Sequence, residues 1–138
     1  MTRAVFREIG EEVGDLPAGW VFVFGSNEAG VHGGGAAALA HERFGARWRH
    51  GRGRTGRSYA IPTKNREIRT LPLSDVAREV AIFLAHAVFH PETNFYVTAI
   101  GTGLAGYRHA DIAPMFTDAP SNCSLPGEWE SILCPSTD

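Results

Sequence analysis

This sequence predicts a single α/β domain, and three observations predict it. Short runs rich in aromatic and β-branched residues alternate with longer stretches of helical spacing, the pattern of a sheet with helices on both faces. Two of those runs, residues 20–24 and 95–100, pass directly into glycine-rich segments. No repeat or linker divides the 138 residues, so residues 1–138 are expected to share one core.

Taken in order, residues 2–9 are a short strand or a strand–helix entry, and residues 11–19 a polar connection. Trp20-Val21-Phe22-Val23-Phe24 is a continuous apolar run cut by Gly25, as expected of a strand buried on both faces. Residues 36–44 are small and apolar, with Gly45 as a stop, and predict a helix whose N-terminus points at the preceding glycines. Residues 48–58 form a Gly/Arg-rich loop. Residues 59–61 are a strand ended by Pro62. Ser74 is a good N-cap, Asp75 suits the first turn, and Val76, Val80, Phe83, Leu84, Ala87 and Val88 keep helical spacing up to Pro91. Residues 95–100 are a strand, 111–116 a short helix and 121–125 a last strand; the remainder is expected to be a tail.

Composition narrows the function classes. Thirteen basic and 15 acidic residues give a net charge of -2, which argues against general nucleic-acid binding by bulk charge. Cys123 and Cys134 are too few for a disulfide framework, so a reduced, cytoplasmic protein is expected. The N-terminus has no h-region, and no apolar run approaches the ~18 residues of a membrane span. Lys64 is the only lysine against 12 arginines, and lysine, unlike arginine, can release a proton.

The chemistry is expected in two loops. The first is Gly25-Ser26-Asn27-Glu28-Ala29-Gly30-Val31-His32-Gly33-Gly34-Gly35, and the second is Gly101-Thr102-Gly103-Leu104-Ala105-Gly106-Tyr107. Ligands of open α/β sheets bind beyond the carboxyl ends of the strands. Glycine lets backbone N–H groups approach an anion, and a helix N-terminus adds partial positive charge. Two such loops facing each other could hold a pyrophosphate without any lysine. Gly33-Gly34-Gly35-Ala36-Ala37-Ala38 satisfies G-x-G-x-x-G/A, but it does not follow its strand immediately. No acidic residue lies between Glu42 and Glu67 to bind a ribose, and there is no P-loop motif.

At these loops the sequence resembles a macrodomain, over residues 20–116. Asn27 with Gly33-Gly34-Gly35-Ala36-Ala37-Ala38-Leu39-Ala40 is similar to that family's first phosphate loop and its helix. Ile100 to Tyr107 is similar to the second. Ser58-Tyr59-Ala60-Ile61-Pro62-Thr63-Lys64 resembles the strand-end Thr-Lys of two groups: macrodomains that cleave terminal ADP-ribose from glutamate, and bacterial antitoxins that strip it from DNA. The resemblance implies a three-layer α/β/α macrodomain-like sandwich with a mixed sheet. It also implies an ADP-ribosyl hydrolase with Lys64 acting at the anomeric carbon of the distal ribose. The glutamate-directed relatives carry an aspartate where this chain has Ala105, and the DNA-directed ones a glycine-like residue. A non-catalytic binder of ADP-ribose, or of a related NAD-derived nucleotide, is the alternative that Ala105 favours. Asp15 and Glu11 are the candidates for the acidic residue that contacts adenine.

The expected ligand-binding residues are thus Ser26, Asn27, His32, Gly33, Gly34, Gly35, Ala36, Gly101, Thr102, Gly103, Leu104, Ala105, Gly106 and Tyr107, with Lys64 catalytic and no cofactor. Several have plainer readings: Asn27 as a turn residue, Tyr107 as a packed aromatic, His32 as a solvated loop histidine. His86 and His90 lie one helical turn apart but lack further ligands at suitable spacing, so no metal is expected. Asp111 is expected to cap its helix. Arg43, Arg47, Arg49, Arg52, Arg54 and Arg57, with Trp48 among them, read as a solvated loop; they are also where ADP-ribosylated DNA or RNA would be met.

Overall fold

The computed structural model describes residues 2–135. Its strands are β1 (Val5–Phe6), β2 (Trp20–Asn27), β3 (Gly53–Thr55), β4 (Ser58–Lys64), β5 (Asn94–Val97) and β6 (Cys123–Leu125). Its helices are α1 (Gly35–Arg43), α2 (Leu73–Val88), α3 (His109–Ile112) and α4 (Glu130–Leu133), with 3-10 turns at Ala113–Phe116 and Gly127–Trp129. The strands form one mixed sheet in the order β1-β6-β5-β2-β4-β3, parallel throughout except for β3, which runs antiparallel to β4. The architecture is therefore α/β with a six-stranded mixed sheet.

β2 explains why its sequence is apolar without alternation. Val21 and Val23 face one layer, where Val76, Val80, Phe83 and Ala87 of α2 pack. Phe22 and Phe24 face the other, against Ala40 of α1 and Phe44. Both sides of the strand are covered, as in parallel sheets generally. Each such side chain contributes about 1.5–3 kcal/mol on burial. Gly45, with φ +74, terminates α1 as expected.

Several boundaries differ from expectation, each for a physical reason. β2 runs through Gly25 to Asn27, because Gly25 and Ser26 still pair in register with Ile61 and Pro62 of β4. β4 likewise continues through Pro62. Alternate residues of β4 face β2, as the bond from Phe22 N–H to the Arg57 carbonyl sets, so Pro62 faces the other flank. There β3 pairs only as far as Ala60, and no ladder bond is lost to the missing N–H. The loop expected over residues 48–58 contains β3. Ser74 lies inside the first turn of α2, whose N-cap is Pro72 and carries no side-chain cap. β5 ends at Val97, after which Thr98 turns back to bond Val23 through both its N–H and its hydroxyl.

The largest difference is at the C-terminus. The expected tail folds back as the Gly127–Trp129 turn and α4, and Trp129 is fully buried against Phe116. Its indole N–H donates to His109 Nδ1 at 3.0 Å. A single tryptophan in a polar stretch carries no periodicity, so its packing was not legible. Among the described residues, no helix is long and apolar enough to cross a membrane.

Candidate functional site

The strand order sets the position of the site. After β2 the chain moves outward to β3 and β4, then crosses back through α2 to β5 on the other flank of β2. Connections that diverge on opposite sides of neighbouring strands leave a crevice at the strands' carboxyl ends. A cavity of about 520 Å³ opens there, within the size range of small-molecule sites. Ser26, Asn27, Gly33, Gly34, Gly35 and Ala36 line one side. Gly101, Thr102, Gly103, Leu104 and Ala105 line another, and Thr63 and Lys64 border it from the end of β4. Both glycine loops and the only lysine therefore meet at one opening.

Backbone forms most of the wall. Gly35 opens α1 at φ +56, a conformation that L side chains rarely adopt. Gly33, Gly34 and Gly103 are different: their φ values lie outside the left-handed region, and a Cβ built on each meets no atom within 4 Å. Neither conformation nor packing within the chain calls for glycine at these three positions. Their N–H groups, with those of Leu104 and Ala105, find no acceptor among the described residues. The first N–H groups of α1 also precede its first helical bond, from Ala38 to the Gly34 carbonyl. The result is a set of unmatched donors around an open space, which suits an anion.

The side chains of the first loop are largely committed to holding it. Ser26 donates its hydroxyl hydrogen to the Gly51 carbonyl. Asn27 closes the turn from both ends of its amide, donating to the Val31 carbonyl at 2.9 Å and accepting from Val31 N–H at 3.1 Å. Thr102 donates to the Ala99 carbonyl at 2.7 Å. These three residues border the cavity mainly as scaffold.

Three expected contacts do not reach the cavity. His32 is neither a phosphate contact nor a solvated residue: it is 2% exposed, set edge-on to Phe24 and Trp48, with Nε2 bonded to the Arg47 carbonyl. Tyr107 turns away and donates its phenol hydrogen to the Leu71 carbonyl, bracing the loop's exit. Gly106, at φ +87, makes the turn between the cavity wall and Tyr107. An aromatic ring with an apolar layer nearby packs there in preference to covering an open cleft.

Lys64 is half-buried and pairs in register with Asn27 across β2 and β4. Its carbonyl accepts from Glu28 N–H at 2.9 Å, which fixes its backbone. No carboxylate among the described residues lies within salt-bridge distance of its amine. It is the only titratable side chain lining the cavity among them.

No model of a known protein family matches this chain. No curated protein matches it either.

A second cavity of about 340 Å³ shares Ala36, Thr98 and Ala99 with the first; of its other lining residues, sequence reasoning named only Glu11 as a ligand contact. Its other walls come from five distant segments: Arg7 to Val13, Phe22, Leu39, Tyr96 and Pro126 to Glu128. The Arg7 guanidinium lies 3.8 Å from the centre of the Tyr96 ring. It also donates to the Val97 carbonyl at 2.6 Å and to the Ser124 carbonyl. Burial pulls Arg7 below its ordinary pKa and pushes the Tyr96 phenol up. Glu11 borders this cavity. Asp15 does not; it pairs with Arg43 at 2.8 Å in solvent.

Most of the remaining candidates make contacts within the chain. Arg52 pairs with Glu79 through two nitrogens, at 2.7 and 3.0 Å, and Arg57 donates to the Leu16 and Pro17 carbonyls. All six arginines of the run are exposed; Arg47, Trp48, Arg49 and His50 lie consecutively against the first loop, where the Arg49 N–H donates to the Gly30 carbonyl at 2.8 Å. His86 and His90 stack with ring centres 4.1 Å apart. Asp111 accepts from Arg108 N–H at 3.0 Å, a capping bond that holds its carboxyl below the usual range. Cys123 is buried and Cys134 exposed, and both are free thiols.

Proposed function

We propose that this chain is an ADP-ribose-binding domain of the macrodomain type, and that it hydrolyses ADP-ribose from a macromolecule with the help of Lys64. One observation carries the binding half of this reading. Gly33, Gly34 and Gly103 surround open space with free N–H groups, and nothing among the described residues requires them to be glycine. A diphosphate between the loops would take those donors. The adjoining cavity suits adenine: the half-buried Arg7 guanidinium, lying over the Tyr96 ring, offers a flat face beside Val13 and Leu39, and Glu11 an acceptor for an exocyclic amine. The distal ribose would then lie toward Lys64.

In the reaction the bond between the anomeric carbon and the macromolecule's oxygen or nitrogen breaks. Water supplies hydroxyl to that carbon, and its proton leaves with the departing group. Lys64 would act at the anomeric centre, stabilising the charge that develops there as the bond breaks, and the loops would hold the diphosphate still so that the ribose meets the amine in one geometry. ADP-ribosylated DNA or RNA would run over Arg47, Trp48 and Arg49 beside the first loop. The two free cysteines suit a reducing cytoplasm.

A second reading rests on a specific absence. No carboxylate lines the cavity among the described residues, and Ala105 stands where an acid would serve as general base. A binder without turnover would need nothing more than the loops. Lys64→Ala separates the two readings. The hydrolase reading expects unchanged calorimetric affinity for ADP-ribose, with release from modified DNA or protein slowed by roughly 10²–10³. Full release by the variant rejects the lysine mechanism, and binding without release by either protein selects the binder. Absence of any ADP-ribose affinity rejects both.

A further inference from the structure

The outer face of α2 is apolar where a surface helix would be polar. Beyond Arg78, every exposed residue of α2 and its C-cap is hydrophobic: Ala81, Ile82, Ala85, Val88 and Phe89. Phe89 is 79% exposed, Val88 57% and Ile82 48%. The opposite face, with Val76, Val80, Phe83 and Ala87, is already buried against the sheet. A helix apolar on both sides belongs between two layers, and this one has a single layer. None of the five residues lines either cavity.

The stripe is self-complementary. Two antiparallel copies of α2, related by a two-fold axis through Ala85, bring together residues equidistant from it. Ala81 then meets Phe89, a small residue against a large one, and Ile82 meets Val88. Ala85 meets its own copy, where a small side chain lets helix axes approach to about 8 Å. Exposed Arg78 and exposed Glu92, the latter in the turn after the helix, lie at opposite ends of the stripe, so the antiparallel arrangement brings each toward the other in the second copy. Arg78 has only a loose 3.5 Å pair with Asp75 to give up. Apolar centre, matched sizes and opposite charges at the rim all follow from one axis, as an isologous interface requires.

We infer that α2 is a homodimerisation face, with a second copy of this chain as its occupant in antiparallel register about Ala85. One helix face is smaller than the roughly 800 Å² per partner of standard interfaces, so the dimer should form in the micromolar range.

Sedimentation velocity across about 1–200 µM tests this, the range in which such a dimer would dissociate. The unaltered chain should pass from one-chain to two-chain mass. Ala85→Glu, which sets two like charges on the axis, should stay at one-chain mass throughout. Arg78→Glu and Glu92→Arg should each weaken association roughly tenfold, the scale of a lost and reversed charge pair. The two together should restore it, since the pair is merely exchanged. In a Cys134→Ser background, Ala85→Cys treated with diamide should give a disulfide-linked dimer. One-chain mass at every concentration would overturn the proposal, including if the face were covered by some other protein. So would a dimer that the double exchange fails to restore, because its register would be a different one.

Discussion

The two adjoining cavities are built from opposite materials. The larger is walled by backbone: glycines, alanines and the amide ends of two loops, with one titratable side chain. The smaller is walled by side chains: Arg7 over Tyr96, Phe22 beneath, and Glu8, Glu11 and Glu128 at the margin. Backbone donors are fixed in direction and suit a group with charge on many oxygens, such as a diphosphate. Aromatic and carboxylate side chains suit a flat, uncharged ring with edges to be read. The difference implies a division of labour within one ligand, with affinity for phosphate in one cavity and identity of the base in the other.

The backbone cavity should be the more sensitive to a single added group. Gly34→Val sets its Cβ in open space next to the free N–H groups, with no atom of the described residues within 4 Å. Its φ of -155 is extended backbone that valine accepts. The variant should melt within a few degrees of the unaltered chain yet lose ADP-ribose, AMP and pyrophosphate alike. The loss should be on the order of a hundredfold or more, about 2.8 kcal/mol. Calorimetry beside a thermal melt reads both. Retained affinity would mean that the glycines do not approach the ligand.

The side-chain cavity should fail selectively. Arg7→Met keeps length but removes the cation over Tyr96 and the bonds to the Val97 and Ser124 carbonyls. Loss of the flat cation that lines the cavity should weaken adenine-bearing ligands by roughly tenfold, in line with about 1–2 kcal/mol for a cation–π contact. Pyrophosphate and ribose 5-phosphate, which have no base, should bind as before. Competition among AMP, ADP-ribose and ribose 5-phosphate separates the terms, and equal losses for all of them would erase the distinction between the cavities.

The same contrast decides how much was legible in the sequence. The backbone cavity was readable because its chemistry is local: Gly33-Gly34-Gly35 and Gly101-Thr102-Gly103 each follow a strand and need no partner far along the chain. Strand-end placement then put Lys64 beside them. The side-chain cavity was not readable, because Arg7, Phe22, Tyr96 and Glu128 meet only when β1, β2, β5 and β6 have aligned. Arg7 in particular reads as a surface charge until the Ser124 and Val97 carbonyls are known to face it. His32 misled for the converse reason. Its position in a glycine loop suggested an open contact, while the Trp48 loop, 16 residues on, buries it. β2 and α2 were legible because their hydrophobic patterns are long enough to fix both a period and a face.

A smaller effect should distinguish the two cavities by pH. Cys123 pairs with Phe95 across β5 and β6, directly beside the Tyr96–Ser124 pair that carries the side-chain cavity. Burial raises its thiol from an ordinary 9.0 to about 12. A group that holds its proton more tightly when folded contributes stability that is fully present below its unfolded pKa. That contribution is lost as pH rises through the folded value. The window is therefore pH 9 to about 12, with a slope of at most about 1.4 kcal/mol per pH unit for one proton. The Tyr59 and Tyr96 phenols, also raised by burial, fall in the same direction, so the comparison must be with Cys123→Ala. The variant should start somewhat less stable and lose melting temperature less steeply above pH 9. The unaltered chain should lose adenine discrimination before pyrophosphate binding as β5 and β6 loosen. Identical alkaline slopes in the two proteins would show that the thiol is free to ionise in the fold, and that the floor of the side-chain cavity is no softer than the glycine loops.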